Sequence, residues 1–176
     1  MVVVTISGLH GAGKTTAAKY LAKKFGLEYV CAGDVFRQMA KERGLTLEEF
    51  SKVAERDPRI DLMIDKRTAR MARRGNVLID GRLAGWMAKK ADLRILLTAP
   101  LEVRVKRIVG RERRRYKEVL RETMARERSE AKRFRKFYHI DVNDYSKFDL
   151  VVNTANLSVE EVAKILEAAV ASIMRR

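Results

Sequence analysis

The stretch Gly8-Leu9-His10-Gly11-Ala12-Gly13-Lys14-Thr15 decides the fold of this chain. It fits the pattern G-x-x-x-x-G-K-[ST], which is specific when a strand precedes it and a helix follows it. The preceding segment Val2–Ile6 is β-branched and predicts a buried strand, and apolar residues at helical spacing follow. Such a loop wraps phosphate groups with backbone N–H groups and with the positive end of its helix. The stretch therefore predicts a site for a nucleoside triphosphate.

The side chains of this loop differ in what they offer a nucleotide. Lys14 can reach the outer phosphates, and Thr15 can ligate Mg²⁺. His10 occupies a free position of the pattern, so we expect it to be non-catalytic. The predicted ATP-binding residues are Gly8, Leu9, His10, Gly11, Ala12, Gly13, Lys14, Thr15 and Thr16.

Length and composition limit the class of protein. A chain of 176 residues can bury one full core, so we expect a single domain. No apolar run approaches the roughly 20 residues that span a bilayer, and the N-terminus enters its first strand without a signal peptide. The only cysteine, Cys31, excludes an internal disulfide. We expect a monomer in the cytoplasm with no membrane partner.

Positive charge is concentrated in one segment. The net charge is +15, and the segment between Glu102 and Lys136 contains fifteen basic residues and six glutamates, 15 − 6 = +9. This excess suggests an anionic partner, which could be a nucleotide, a nucleic acid or a membrane surface. Charge runs are usually solvated helix faces, so we assign most of these arginines that role.

The remaining chain alternates strands and helices. Further strands are predicted at 28–31, 76–81, 93–98 and 148–153, and the stretch from Leu101 to about Phe137 is predicted to be helical, interrupted only at Gly110. Residues 34–75 have the pattern of a helical insert. The pattern predicts an α/β fold with a five-stranded parallel sheet and helices on both faces.

Ligands in such a sheet gather at the carboxyl ends of the strands. Asp80 ends an apolar strand and is predicted to hold Mg²⁺ directly or through water, the alternative being a helix-capping aspartate. Arg82 follows at the same crevice, where it could grip a phosphate with two hydrogen bonds or form a surface salt bridge. Trp86 stands near the mouth of this crevice, so base contact and core packing both remain open.

Six segments in order complete the pattern: GLHGAGKTT, AGDVFR, DPRIDLMID, DGRLAGW, RERSEAKRF and FDLVVNTANLS. Together they resemble the archaeal-type cytidylate kinases of the nucleoside monophosphate kinase family, over nearly the whole chain. The resemblance implies an ATP-binding core (1–33, 76–104 and 136–176), a monophosphate-binding insert (34–75) and an arginine-rich lid (105–135).

The resemblance also implies roles for particular residues. Arg126 would reach the triphosphate and, with Lys14 and Arg133, would act in catalysis. In this sequence Arg126, Glu130 and Arg133 share one helix face at i, i+4 and i+7. Bacterial relatives end the fourth strand with an acidic residue that lies at the nucleobase. This chain has Thr98 at that place, and Trp86 is expected to substitute for the acidic residue. The implied acceptor-binding residues are Asp34, Arg37, Arg82, Trp86, Glu130 and Arg133.

The expected reaction is in-line transfer of a phosphoryl group from ATP to CMP or dCMP, with Mg²⁺ and without a covalent enzyme intermediate. A kinase for another small acceptor, such as AMP, UMP or dephospho-CoA, is the alternative within the same class. From another class, the chain could be a P-loop NTPase that acts on RNA. No stacking aromatics lie within Arg111 to Arg115, so no specific nucleic-acid partner is expected.

Overall fold

The computed structural model describes residues 1–73 and 75–175, without the side chains of residues 67, 68, 71 and 72. The strands are β1 (Val3–Gly8), β2 (Glu28–Cys31), β3 (Val77–Asp80), β4 (Leu93–Thr98) and β5 (Leu150–Asn153). The helices are α1 (Lys14–Phe25), α2 (Ala32–Glu42), α3 (Leu47–Ala54), α4 (Pro58–Ala72), α5 (Ala84–Met87), α6 (Leu101–Glu112), α7 (Tyr116–Tyr138) and α8 (Val159–Met174), with a 3₁₀ turn at Tyr145–Lys147. Within this part of the chain, no helix combines the length and apolar character needed to cross a membrane.

The five strands form one parallel sheet in the order β2-β3-β1-β4-β5. The register places Ile6 of β1 opposite Asp80 of β3, and Cys31 of β2 opposite the same aspartate. The predicted five-stranded parallel sheet is therefore confirmed. Because β1 and β3 are neighbours, the phosphate loop and the end of β3 meet at one edge of the sheet.

The central strand and its flanking helices form the main core. All six residues of β1 are buried, which explains its unbroken β-branched pattern. Helix α1 buries its apolar face, including Leu21, on one side of the sheet, where Leu166 of α8 joins it. Both leucines are 0% exposed, and burial of each contributes about 1.5–3 kcal/mol. This packing anchors the start of α1 beside the loop.

Helices α2, α3 and α4 form a second small core. Its buried residues include Phe50 and Ile60, and Thr46 caps α3 through the capping box with Glu49 that the sequence predicts. The insert begins at Ala32, two residues before the predicted start, and position 74 lies outside the described residues. Helix α3 contacts α7, where Ser129 Oγ donates to the carbonyl oxygen of Ser51 at 3.3 Å. The insert is thereby joined to the arginine-rich helix.

The break between α6 and α7 does not fall at Gly110. That glycine lies inside α6, which ends at Glu112, and Arg113 adopts a left-handed φ of 53° before α7 starts at Tyr116. A single glycine costs a helix only about 1 kcal/mol. Packing of the buried Val105 and Ile108 against α7 outweighs this cost. The predicted interruption at Gly110 is wrong for this reason.

Candidate active site

The phosphate loop connects the end of β1 to the start of α1. Helix α1 begins at Lys14, and Gly13 is its N-cap with a φ of 98°. Gly11 has a φ of 79°, and a Cβ there would lie 2.5 Å from the backbone oxygen of Arg104. Only glycine fits such a contact at such a φ. The loop is therefore shaped by close backbone approach, as its pattern predicts.

A buried arginine of α6 hydrogen-bonds to the backbone of this loop. Arg104 is 3% exposed, and its Nη1 donates to the carbonyl oxygen of His10 at 2.9 Å. The same nitrogen lies 2.5 Å from Glu127 Oε1, and Nε donates to the carbonyl oxygen of Ala99. Sequence reasoning assigned most arginines of this segment to solvent and missed this role. Its helical spacing from Leu101 and Ile108, on the apolar face of α6, was the available signal.

Arg107 holds the loop from the side of β5. Its guanidinium donates to Thr154 Oγ1 at 2.8 Å and to the carbonyl oxygen of Thr154 at 2.6 Å. Thr154 Oγ1 also lies 3.2 Å from the carbonyl oxygen of Ala12. The loop is thus tied to two elements besides its own helix, which keeps its N–H groups in a fixed arrangement.

Lys14 and Thr15 face the end of β3. Lys14 Nζ donates to the carbonyl oxygen of Leu9 at 2.9 Å, and burial lowers the pKa of Lys14 although Asp80 opposes the change. Thr15 Oγ1 donates to Asp80 Oδ2 at 2.7 Å, and the hydroxyl of Tyr29 lies 3.1 Å from the same oxygen. Asp80 is only 2% exposed, so its carboxylate is held at the junction of the phosphate loop and the end of β3.

The oxygens of Thr15 and Asp80 fit Mg²⁺. A hydroxyl and one carboxylate at the edge of a phosphate site are the donors that Mg²⁺ takes, with phosphates and water completing its shell. Among the described residues, no group of three or more His, Cys, Asp and Glu side chains could form an all-protein metal cage. The donor set therefore suits a metal that arrives with a nucleotide.

Glu130 of α7 joins the phosphate loop to the end of β3. Its Oε1 lies 2.8 Å from His10 Nε2, and its Oε2 lies 3.3 Å from Arg82 Nε. Burial lowers the pKa of His10, although the neighbouring carboxylate of Glu130 opposes the change. Burial alone would raise the pKa of Glu130, but the charges of its partners, including Arg126, lower it. Glu130 is therefore an ionised acceptor among positive groups.

Two further arginines of α7 border this cluster. Arg126 lines the cleft, and its buried Nε has no hydrogen-bond partner among the described residues. Arg133 is 3% exposed and lies over the ring of Phe36, with 5.5 Å from its Cζ to the ring centroid. Its Nε lies 2.9 Å from Asp61 Oδ2, in an ion pair rather than an aligned hydrogen bond. Arg126 thus offers a free donor, whereas Arg133 already has a counter-ion.

A single cleft of about 560 Å³ collects most of these groups. The predicted site residues that line it are His10, Gly11, Gly13, Lys14, Thr15, Thr16, Arg37, Asp80, Arg82, Arg126, Glu130 and Arg133. Gly8, Leu9 and Ala12 belong to the loop but not to this lining.

Asp34 is on the surface with its side chain 63% exposed, and it pairs with Arg37 at 2.5 Å. Arg111 and Arg114, which belong to the basic segment whose arginines were mostly assigned to solvent, also lie along the cleft.

Trp86 lies outside the lining of this cleft. Its ring packs edge-on against Phe148, with 4.7 Å between the ring centroids. Gly85 is in contact with the same phenyl ring, and a Cβ there would lie 2.4 Å from Phe148 Cε1. The structure therefore agrees with the packing alternative for Trp86 and places its ring against Phe148, outside the lining of the acceptor cleft.

Sequence reasoning missed the acidic residues of α4. Asp61 and Asp65 are 5% and 8% exposed and line the far end of the cleft. The hydroxyl of Tyr138 donates to Asp65 Oδ2. A signal was present, since two aspartates at i and i+4 follow directly on the core residues Ile60 and Ile64.

The strand order, the phosphate loop and the cleft define a P-loop kinase fold. The chain is similar to a shikimate kinase from Bacteroides thetaiotaomicron, with a TM-score of 0.62, 17% identity and coverage of 97% of this chain and 98% of that one. It is also similar to a gluconokinase from Sinorhizobium meliloti, with a TM-score of 0.65, 12% identity and coverage of 98% and 93%. At such identities the likeness concerns the fold alone.

Sequence comparison identifies the family. The model of the cytidylate kinase-like family matches residues 3–156. A cytidylate kinase from Pyrococcus horikoshii is 49% identical over 168 residues, which cover 96% of this chain and 88% of the relative. One from Methanocaldococcus jannaschii is 46% identical over 177 residues, 98% and 99% of the two chains. The chain belongs to the cytidylate kinase-like family, which confirms the resemblance drawn from its motifs.

Proposed function

We propose that this protein is a cytidylate kinase, which transfers the γ-phosphoryl group of ATP to CMP or dCMP and releases ADP and CDP or dCDP. The observation that carries the proposal is that two cavities share the phosphate loop. Gly11, Gly13 and Thr16 line both the cleft of about 560 Å³ and a second cavity of about 700 Å³. A loop that borders two cavities can hold the phosphates of two nucleotides end to end.

The second cavity suits the donor nucleotide. It lies between the loop and the start of α8, and its walls include Tyr20, Arg107, Leu157 and Val159. Apolar surface beside a guanidinium is a suitable surround for a purine ring. A nucleotide seated there points its phosphates over the loop towards Lys14. ATP is thereby assigned to this side.

The cleft suits the acceptor monophosphate. Arg37, Arg82 and Arg126 supply positive charge along it, and Glu130 supplies one ionised acceptor. Arginine forks bind phosphate oxygens in pairs, and a carboxylate can accept hydrogen bonds from ribose hydroxyls. We therefore assign the phosphate of CMP to the arginines and its sugar to Glu130.

The chemistry needs positioning and charge rather than a nucleophilic side chain. An oxygen of the acceptor phosphate attacks the γ-phosphorus in line, and the bond from that phosphorus to the β-γ bridging oxygen breaks. Lys14 and Arg126 would stabilise charge on the moving group, and each such preorganised charge is worth about 10²–10³ in rate. Arg133, for which the resemblance also implies a catalytic role, is paired with Asp61 and is left out of this step. Mg²⁺ held by Thr15 and Asp80 would neutralise the phosphate oxygens. Residues 105–135 would close over the cleft and exclude water, which prevents wasteful ATP hydrolysis.

The test is a coupled assay of ADP release with each monophosphate in turn. We expect CMP and dCMP to be the best acceptors, with much lower kcat/KM for AMP and UMP. Preference for AMP, or for a non-nucleotide acceptor, would assign the site to another small-molecule kinase. Stimulation of ATP turnover by RNA, with no response to CMP, would favour an RNA-associated NTPase instead.

A further inference from the structure

The far end of the acceptor cleft differs from the end beside the phosphate loop. Its walls are largely apolar and include Phe36, Leu47, Ile64 and Phe134. Into this apolar space project two carboxylates of α4, those of Asp61 and Asp65. An apolar cavity with a few convergent polar groups is the usual form of a site for a planar ring.

The two carboxylates have different partners. Asp61 is paired with the guanidinium of Arg133 at 2.9 Å. Asp65 accepts a hydrogen bond from Tyr138 through Oδ2, and no described residue hydrogen-bonds its other oxygen, Oδ1. Because Asp65 lines the cleft, this second oxygen is available to accept a hydrogen bond from a ligand bound there. The proposed phosphoryl transfer gives Asp65 no task.

The order of contacts along α7 places Asp65 beyond the residue assigned to the sugar, on the side away from Arg82. Glu130, assigned to the sugar, and Tyr138, the partner of Asp65, are two helical turns apart on one face of α7. Eight residues at 1.5 Å rise correspond to about 12 Å along the helix axis. The phosphate-binding Arg82 contacts Glu130 at the near end. A monophosphate whose phosphate meets Arg82 therefore extends its base towards Asp65.

We propose that Asp65, held by Tyr138, selects the acceptor base: its carboxylate accepts a hydrogen bond from the exocyclic amino group of cytosine and rejects uracil. Acidic side chains are suitable acceptors for the amino group of cytosine. Uracil has a carbonyl oxygen at the same position, which would face the carboxylate as a second acceptor. This inference rests on the proposed function, since it assumes a pyrimidine monophosphate in the cleft.

The test compares Asp65→Asn with the wild-type enzyme, using CMP and UMP as acceptors. An asparagine can turn its amide NH₂ towards the carbonyl oxygen of uracil. We therefore expect the ratio of kcat/KM for CMP to that for UMP to fall by about 10- to 100-fold. The value for UMP should itself rise, and the KM for ATP should stay unchanged. A gain with UMP is a result that damage to the fold cannot produce.

Two further variants keep the inference testable. Asp57→Asn, at the start of α4 and outside the cleft, is the matched control and should leave both substrates unaffected. Tyr138→Phe removes the hydrogen bond that holds Asp65, and it should lower the CMP-to-UMP ratio less than Asp65→Asn does. If Asp65→Asn fails to fold, as judged by circular dichroism, an unchanged ratio in Tyr138→Phe overturns the proposal.

Each result has a defined meaning. Equal losses with CMP and UMP in Asp65→Asn would give Asp65 a structural role and overturn the proposal. A wild-type enzyme that uses CMP and UMP equally would also overturn it while leaving the kinase assignment intact. A wild-type enzyme that uses neither, but phosphorylates another acceptor, refutes the proposed function and with it this inference.

Discussion

Asp65 should reduce the stability of the protein near neutral pH, so Asp65→Asn should be more stable than the wild type. Burial raises the pKa of Asp65 to about 6, with a further upward effect of Asp61 and a downward effect of the hydrogen bond from Tyr138. A carboxyl group with a raised pKa in the folded state is favoured there in its protonated form. The stability that this form confers is complete below the unfolded pKa, near 3.8, and is lost as the pH rises to about 6.

The size of this loss follows from the two pKa values. They differ by 6 − 3.8 = 2.2, and each pKa unit corresponds to 1.36 kcal/mol, so the full loss is about 3 kcal/mol. The carboxyl group faces a cleft that admits water, so we expect about 2 kcal/mol. Unfolding entropy of roughly 2.1 cal/mol/K per residue gives about 0.37 kcal/mol/K for 176 residues. The expected rise in Tm for Asp65→Asn above pH 7 is therefore about 5 °C.

The assay is urea unfolding of both proteins at pH values from 4 to 8. The difference in unfolding free energy, variant minus wild type, should be near zero at pH 4 and should grow to about 2 kcal/mol by pH 7. Asp144→Asn is a control of opposite sign, because hydrogen bonds from Ser146 lower the pKa of Asp144. A difference that does not change with pH, or an asparagine variant that is less stable throughout, would refute the reasoning.

Three kinetic predictions concern the proposed transfer. Lys14→Ala should lower kcat by about 10²-fold or more while circular dichroism stays unchanged, and near-normal turnover would remove Lys14 from the mechanism. Arg82→Lys keeps the charge but loses the two-pronged guanidinium. In steady-state kinetics the KM for CMP should therefore rise far more than the KM for ATP, and equal increases would contradict the assignment. Arg126→Ala should reduce kcat strongly, since its Nε is unpartnered in the cleft, whereas the exposed Arg128→Ala on the same helix should be nearly silent. Similar losses in both arginine variants would point to a general charge effect.

Local patterns were sufficient for the fold and for one half of the site. The β-branched run before Gly8, the glycines of the loop and Lys14 are contiguous, so backbone sterics and phosphate binding act on one short segment. The parallel sheet followed from the alternation of strands and helices, and the meeting of Asp80 with Thr15 followed from the rule that ligands gather at the carboxyl ends of such strands. These features depend on interactions between near neighbours or on general rules of connection.

Only the tertiary structure decided which long side chains enter the cleft. Arg104 and Arg128 belong to the same basic segment, yet Arg104 is buried behind the phosphate loop and Arg128 is exposed. Trp86 packs on Phe148, 62 positions away, because β5 brings that ring beside α5. Asp65 meets Tyr138 because α4 and α7 come together across 73 positions of sequence. Such contacts depend on how remote elements pack, and a charge or an aromatic ring in the sequence does not specify its partner.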